Sequence, residues 1–341
     1  MNYRLAFLGF GNVGRALAEL LLAKRDELKS IHDITFTVTG IATARHGQAV
    51  DASGIDLPLA LELGRNGRPL NALSAGPVPD NFLEFIRCSG ADLLFENTPV
   101  NYETGQPAVD HLRTALELGM HAVTANKGAV VHAYHELSEL ARVMGRHFFF
   151  ESTVMDGAPI FSLFRSALPV VRCKSFEGVL SSTTNLILTR METGESFEDA
   201  IAYARQTGFA ETDPAGDIDG HDAAIKVAAL MTVLMNTPTK PGEVAYSGIR
   251  DISMEMVADA KANGERYKLI CSAEFDGQKI RGRVAPRRVS SASRFYGIEG
   301  TSSMIHFETD VLGEFSLVEN DPGPQTTAYG LLADFINAVR N

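Results

Sequence analysis

Between residues 208 and 230 the chain reads GFAETDPAGDIDGHDAAIKVAAL. Five carboxylates, Glu211, Asp213, Asp217, Asp219 and Asp222, stand ahead of one lysine, Lys226, which is the sole charged residue between Ala223 and Thr239. The segment from 222 to 236 is apolar nearly all round and reads as a helix stopped before Pro238, so the ammonium of Lys226 cannot easily reach water. Asp222 falls one turn earlier on the same face. A buried lysine held by a carboxylate can give up a proton or hook a carbonyl oxygen. Acid concentrated at the loop-to-helix junction suits a substrate that carries its own ammonium group. Taken alone, the same residues also fit a chemically silent buried pair, a snorkelling lysine and solvated loop acids.

Three further places carry chemistry-bearing types. Gly9-Phe10-Gly11-Asn12-Val13-Gly14 is a G-x-G-x-x-G that follows an apolar β-type run and opens a helical pattern. In that setting the first glycine permits the tight turn, the second admits a pyrophosphate and the third lets helix and strand pack closely. The helix N-terminus then offers amide donors and the positive end of a dipole. Lys127, in VTANKG, and Thr98, after LLFEN, fall just past strands of the same region, where open α/β sheets bind cofactor and substrate. An ordinary loop lysine and a helix-capping hydroxyl are the plain alternatives. At the end of the second strand, where an acid would bind the ribose 2′-hydroxyl of NAD, the chain reads Thr43-Ala44-Arg45-His46. A guanidinium there suits a 2′-phosphate, so NADP is favoured slightly over NAD.

The elements that must position these groups divide the chain in two. Over the first 130 residues β-rich runs alternate with helical patterns: YRLAFLGF, a helix over 13 to 27, ITFTVTGIAT, ADLLFENT, a helix over 106 to 119, HAVTANK. A helix at HAYHELSELARVMG and a strand at HFFFESTV follow. This predicts a Rossmann-type, doubly wound parallel sheet of the α/β class over residues 1–150. From about residue 155 the texture changes. A β-rich SFEGVLSSTTN precedes a helix begun at SFED, with capping-box spacing between Ser196 and Asp199 and with Gly208 at its end. KLICSAEF, KIRGRVAP, MIHFETDV and EFSLVEN read as strands, so residues 151–325 are expected to form an α+β domain with a mostly antiparallel sheet. A last amphipathic helix, over 326–341, is expected to return and complete the first domain.

Length and charge exclude other classes. At 341 residues there is room for about two cored domains. Three cysteines, Cys88, Cys173 and Cys271, form no CxxC pair, which argues for free thiols and against a thiolate metal site. A net charge of -11 with no basic cluster argues against nucleic acid or anionic membrane as partners. With no leader-like N-terminus and no apolar run long enough to span a bilayer, the expectation is a cytoplasmic protein.

Together GFGNVG, VTANKG, ESTVMDGAPI from Glu151, SSTTNLIL from Ser181 and the long block from Gly208 resemble the homoserine dehydrogenases over nearly the full chain. The resemblance implies interconversion of L-aspartate 4-semialdehyde and L-homoserine with NAD(P)H, within threonine, methionine and isoleucine biosynthesis, by a homodimer whose second domain is catalytic and dimerising. It implies that Lys226 is the main catalytic lysine, Asp222 its partner and Lys127 a second active-site lysine that also meets the cofactor. Glu211 and Asp217 would hold the substrate amino group, and Thr183 would face substrate and nicotinamide. Gly323, in NDPGPQTTAYG, would touch the cofactor. A monovalent cation, Na+ or K+, would sit at the turn containing Glu151, Val154, Asp156 and Ala158. The chain departs from the family at Phe209, where tyrosine is usual, at Ser182, where glycine is common, and at Met155-Asp156, where small residues are usual. It carries neither the ACT domain of longer members nor a fused aspartate kinase, so feedback inhibition through such a domain is not expected. Two other classes fit parts of the pattern: an NAD(P)-dependent oxidoreductase for another amino or oxo acid, and a non-catalytic cofactor-binding sensor. A sensor has no need of a buried lysine.

Overall fold

The computed structural model describes residues 1–210 and 213–340. Two compact units emerge, one formed by Met1–Gly157 with Pro324–Asn341 and the other by Ala158–Gly323.

The first unit alternates as its periodicity predicts. In chain order it contains β1 (Asn2–Leu8), α1 (Asn12–Ala23), α2 (Arg25–His32), β2 (Thr35–Thr43), β3 (Gly47–Val50), α3 (Leu57–Arg65), α4 (Phe82–Ser89), β4 (Leu93–Glu96), α5 (Ala108–Glu117), β5 (His121–Thr124), α6 (Lys127–Val143) and β6 (Phe148–Phe149). Its described strands form one sheet in the order β3-β2-β1-β4-β5-β6. All neighbours are parallel except β2 and β3, which form an antiparallel hairpin. Leu5–Leu8 of β1 and all of β4 are buried on both faces, as crossover helices require, and Leu5–Leu8 and Leu93–Phe95 are continuous apolar runs. The C-terminal helix, Pro324–Arg340, packs on α1 and buries Leu331, Leu332 and Phe335 beside Leu5 and Phe95. The helix expected over 13–27 is interrupted at Lys24, and α2 restarts with Asp26 and Glu27 in its first turn, where acids complement the helix dipole.

The second unit contains a short helical turn α7 (Ile160–Ser162), β7 (Cys173–Val179), α8 (Ser182–Glu192), α9 (Phe197–Gln206), α10 (Ala215–Ile218), α11 (His221–Leu234), β8 (Ala245–Tyr246), α12 (Met254–Ala262), β9 (Glu265–Phe275), β10 (Ile280–Ser290), β11 (Ser303–Thr309) and β12 (Glu314–Glu319). The sheet runs β12-β11-β7-β9-β10-β8 and is antiparallel apart from the β10–β8 pair. One expectation is corrected here: SSTTN does not extend a strand but starts α8. Ser181 caps it, its hydroxyl accepting from the Thr184 amide at 3.3 Å, because a cap satisfies the amides that a new helix leaves open. At α9 the Ser196 hydroxyl accepts from the Asp199 amide at 3.1 Å, and Gly208 follows the helix at φ 81°. Helix α11 lies against β9 and β10. A Cβ on Gly282 of β10 would stand 2.7 Å from the Met231 sulfur and 2.8 Å from a Val227 methyl carbon, so a glycine there lets the lysine-bearing helix approach the sheet.

Candidate active site

In the first unit the strand order reverses around β1, and the turns after β1, β4 and β5 gather at the carboxyl end of the sheet, where α/β folds bind ligands. The three glycines differ as their spacing implies. Gly9 has φ 98°, and a Cβ there would stand 2.4 Å from the Asn97 carbonyl oxygen. A Cβ on Gly14 would stand 2.5 Å from the Gly9 carbonyl oxygen, whereas on Gly11 it would meet nothing within 4 Å. Gly9 and Gly14 therefore serve close packing, and Gly11 keeps a face open. Gly11 also caps α1 without any side-chain hydrogen bond, which leaves the helix start open to an anion such as a pyrophosphate. Asn12 is exposed and its side-chain oxygen accepts from Arg15 at 2.9 Å; Val13 is half-buried. The Gly9 amide donates to the Ala42 carbonyl at 2.9 Å, tying the glycine turn to the end of β2. Arg45 is exposed at the tip of the hairpin that follows, and no described residue engages its guanidinium.

Beneath these turns lies a residue that the sequence pattern did not single out. Glu96, the last residue of β4, is fully buried. Its carboxylate accepts from the Thr98 amide at 3.2 Å, from the Thr98 hydroxyl, and from the Thr124 hydroxyl at 3.1 Å, and stands 3.5 Å from His111 Nδ1. Thr124 in turn accepts from the Asn126 amide at 2.9 Å. Asn126 caps α6, accepting from the Gly128 amide at 3.1 Å, and donates to the Thr98 carbonyl at 3.1 Å. One buried carboxylate thus fixes both the turn with Thr98 and the turn that presents Lys127, the first residue of α6. Thr98 spends its hydroxyl hydrogen on Glu96 and has only its lone pairs to offer a ligand. The signal was legible: an ionisable residue closing the apolar run LLFE.

In the second unit Lys226 sits in α11 with 14 % of its side chain exposed, and its Nζ is 3.3 Å from Asp222 Oδ2, one turn back, where 10 % is exposed. Nζ also donates to the Leu180 carbonyl at 2.7 Å. The Leu180 carbonyl takes one of the three ammonium hydrogens and the Asp222 charge holds the head in place, which leaves hydrogens to donate. Nearby, the fully buried Cys271 has its thiol pushed up to about 12 by burial, with the Lys226 charge pulling the other way, so the lysine faces a neutral thiol. Thr183, in the first turn of α8, is buried and donates to the Phe209 carbonyl at 2.9 Å.

The acidic loop does not act as one cluster. Asp219 pairs with Arg250 at 2.7 Å, and this hydrogen-bonded guanidinium holds its carboxyl below the ordinary range. Asp213 accepts from the Ala215 amide at 3.1 Å in a local turn. Asp217 is half-buried in the short α10, and Glu211 lies outside the described residues. Gly323, the last residue before the C-terminal helix, would give a Cβ open space. Glu151 and Val154 are buried in the turn that follows β6, while Asp156, at φ 39°, accepts from Thr327 Oγ1 at 2.6 Å; Ala158 begins the second unit. The Glu151 amide donates to Asp334 of the C-terminal helix at 2.7 Å. Among the described residues no group of three or more His, Cys, Asp or Glu is placed to hold a metal. A site of backbone carbonyls needs no such group.

Comparison with known proteins matches both halves. Residues 9–151 fit the model of the homoserine dehydrogenase NAD-binding domain and residues 159–336 that of homoserine dehydrogenase. The homoserine dehydrogenase of Methanocaldococcus jannaschii is 36% identical over 332 residues, 97% of this chain and 96% of that protein. The NAD(+)-dependent homoserine dehydrogenase of Pseudomonas canavaninivorans is 33% identical over 338 residues, 98% of this chain and 96% of its own length. A hyperthermophilic archaeal homoserine dehydrogenase solved in complex with NADPH superposes with a TM-score of 0.83 at 29% identity, covering 99% of this chain and 98% of that one. A dinucleotide cradle on a parallel sheet, a paired lysine beside an antiparallel one and matches over nearly every residue lead to one assignment: the chain belongs to the homoserine dehydrogenase family of NAD(P)-dependent oxidoreductases.

Proposed function

We propose that this enzyme interconverts L-homoserine and L-aspartate 4-semialdehyde, with Lys226 as the group that meets the reacting oxygen. The observation that carries the reading is the geometry of that ammonium, paired with Asp222 at 3.3 Å and hydrogen-bonded to the Leu180 carbonyl at 2.7 Å, with hydrogens left to donate. In the reducing direction Lys226 polarises the aldehyde oxygen and delivers a proton to it as the alcohol forms; in the oxidising direction it receives that proton. Asp222 keeps the ammonium oriented and neutralises it in the closed surroundings. Such preorganised charge acts most strongly where charge develops in the transition state.

NAD(P), when bound, supplies the hydride chemistry. Gly9, Gly11, Asn12, Val13 and Gly14 would hold its pyrophosphate at the start of α1, with Thr98, Lys127 and Gly323 meeting the rest, as the family likeness implies. Lys127 acts as a second active-site lysine. Thr183 faces substrate, and Asp217 with Glu211 takes the substrate ammonium. Arg45 selects NADP over NAD by pairing with the 2′-phosphate. Its exposure and lack of a described partner support this role. The turn at 151 to 158 takes Na+ or K+ through backbone carbonyls, hard donors suited to such an ion, and Thr327 and Asp334 brace it. The enzyme is a cytoplasmic homodimer, assembled through the second unit; sedimentation as a monomer at micromolar concentration would overturn that assembly.

The test is the initial rate of NAD and of NADP reduction with L-homoserine, for the wild type and for Arg45→Ala. Turnover with homoserine, and an NADP Michaelis constant raised at least about tenfold in the variant with NAD unchanged, is the expected result. Tight cofactor binding with no turnover would move the substrate to another amino acid. An unchanged NADP constant would remove the role of Arg45.

A further inference from the structure

Behind α8 lies a second buried lysine. Lys268, in the middle of β9, is 0% exposed. Its Nζ donates to the Asn185 side-chain oxygen at 2.9 Å and to the Ile298 carbonyl at 2.6 Å. The Asn185 amide nitrogen donates to the carbonyls of Ile298 at 3.2 Å and Ser302 at 3.1 Å, so every polar atom of this asparagine side chain is engaged. Asn185 belongs to the first turn of α8, two residues after Thr183 and five after Leu180, whose carbonyl orients Lys226. Lys268 is thus the inner end of a chain of contacts that runs through Asn185 to the segment carrying Thr183 and the carbonyl that holds Lys226.

A buried ammonium is an expensive way to hold a helix: burial first, then the Arg266 charge, pull its pKa down to about 8 despite support from Glu192 and Glu299. A methionine or leucine would fill the same space without that burden. What the lysine adds is direction: one hydrogen bond to Asn185 in the first turn of α8 and a second to the Ile298 carbonyl, which together tie that turn to a fixed point outside the helix.

We infer that Lys268 is a positioning residue, which acts through Asn185 to hold the Ser181–Asn185 turn, and so Thr183 and the Leu180 carbonyl, in register for the hydroxy-acid or aldehyde substrate. This rests on the reading of the Lys226 site given above. The test uses Lys268→Met, Asn185→Ala and the double variant, with L-homoserine and NADP, at a temperature where circular dichroism shows all of them folded. Cofactor affinity is measured separately by titrating NADPH and following the change in its own nicotinamide fluorescence, since the chain has no tryptophan.

The expected result is a fall of about tenfold in kcat/KM for homoserine in each single variant, with NADPH affinity within twofold of the wild type and a double variant no worse than the poorer single one. If Lys268→Met does not fold, Asn185→Ala alone must reproduce the selective loss. Variants whose folded fraction turns over homoserine within twofold of the wild type would overturn the inference, and so would additive losses in the double variant. Absence of turnover in the wild type would instead overturn the assigned reaction, so the two failures are told apart.

Discussion

Lys268 also yields a prediction about stability that needs no substrate. In an unfolded chain its ammonium would titrate near 10.5, whereas in the folded protein burial lowers that to about 8. Between those values the unfolded chain holds a proton that the folded one has released, so stability rises with pH across that window. At about 1.4 kcal/mol per pH unit the full difference is about 3 kcal/mol, present as a penalty below pH 8 and gone above 10.5. The buried thiols of Cys173 and Cys271, both pushed up to about 12, act in the opposite sense above pH 9. They are common to the wild type and to Lys268→Met and cancel between the two. Arg266 keeps its charge throughout, and the Glu192 carboxyl, raised by burial, is common to both proteins. Equilibrium urea unfolding of both proteins at pH 7.5 and pH 10 should show the wild type gaining about 2 kcal/mol or more relative to the variant. Parallel behaviour of the two proteins would mean that the lysine is not buried as a charge, and the reasoning fails.

Three other substitutions test the paired lysine and the glycine turn. Asp222→Asn keeps an oxygen beside Lys226 but removes the charge that neutralises its largely buried ammonium, so kcat/KM for homoserine should fall about tenfold and the melting temperature should fall with it. A change smaller than twofold would mean that the carboxylate does not matter to the lysine. Gly11→Ala should leave the melting temperature within about 1 °C, because nothing lies within 4 Å of the new methyl, yet weaken NADPH at least about tenfold in a fluorescence titration. Gly9→Ala, at φ 98° and 2.4 Å from the Asn97 oxygen, should lower the melting temperature by about 5 °C or more. The reverse pattern would mean that the glycine roles have been exchanged.

What the sequence revealed follows from how local each signal is. The alternation of the first 130 residues, the packing of Gly14 on Gly9 and the Asp222–Lys226 spacing rest on contacts within one turn or one strand–helix unit, and they appear in the fold at the residues named; the approach of Gly9 to Asn97 reaches across to the next strand. The start of α8 was hidden because threonines favour strands and only the Ser181 cap, a single hydrogen bond, turns the segment into a helix. The break at Lys24 carries no glycine or proline to announce it. Glu96 and Lys268 escaped for a different reason. Each owes its role to partners far along the chain, at Thr124 and at Asn185, and Lys268 stands at the first position of KLICSAEF, whereas β9 begins three residues earlier. The acidic loop misled in the other direction, since counting carboxylates cannot reveal that Arg250 holds Asp219.

The most direct test of the central claim is the initial rate of NADP reduction with L-homoserine by the wild type and by Lys226→Ala, with NADPH affinity measured on both. Turnover by the wild type, lost by about a thousandfold or more in the variant while NADPH still binds within twofold, is what a lysine at the reacting oxygen requires. A variant that keeps a tenth or more of the wild-type rate would contradict it, and the chemistry would then have to be sought at another residue.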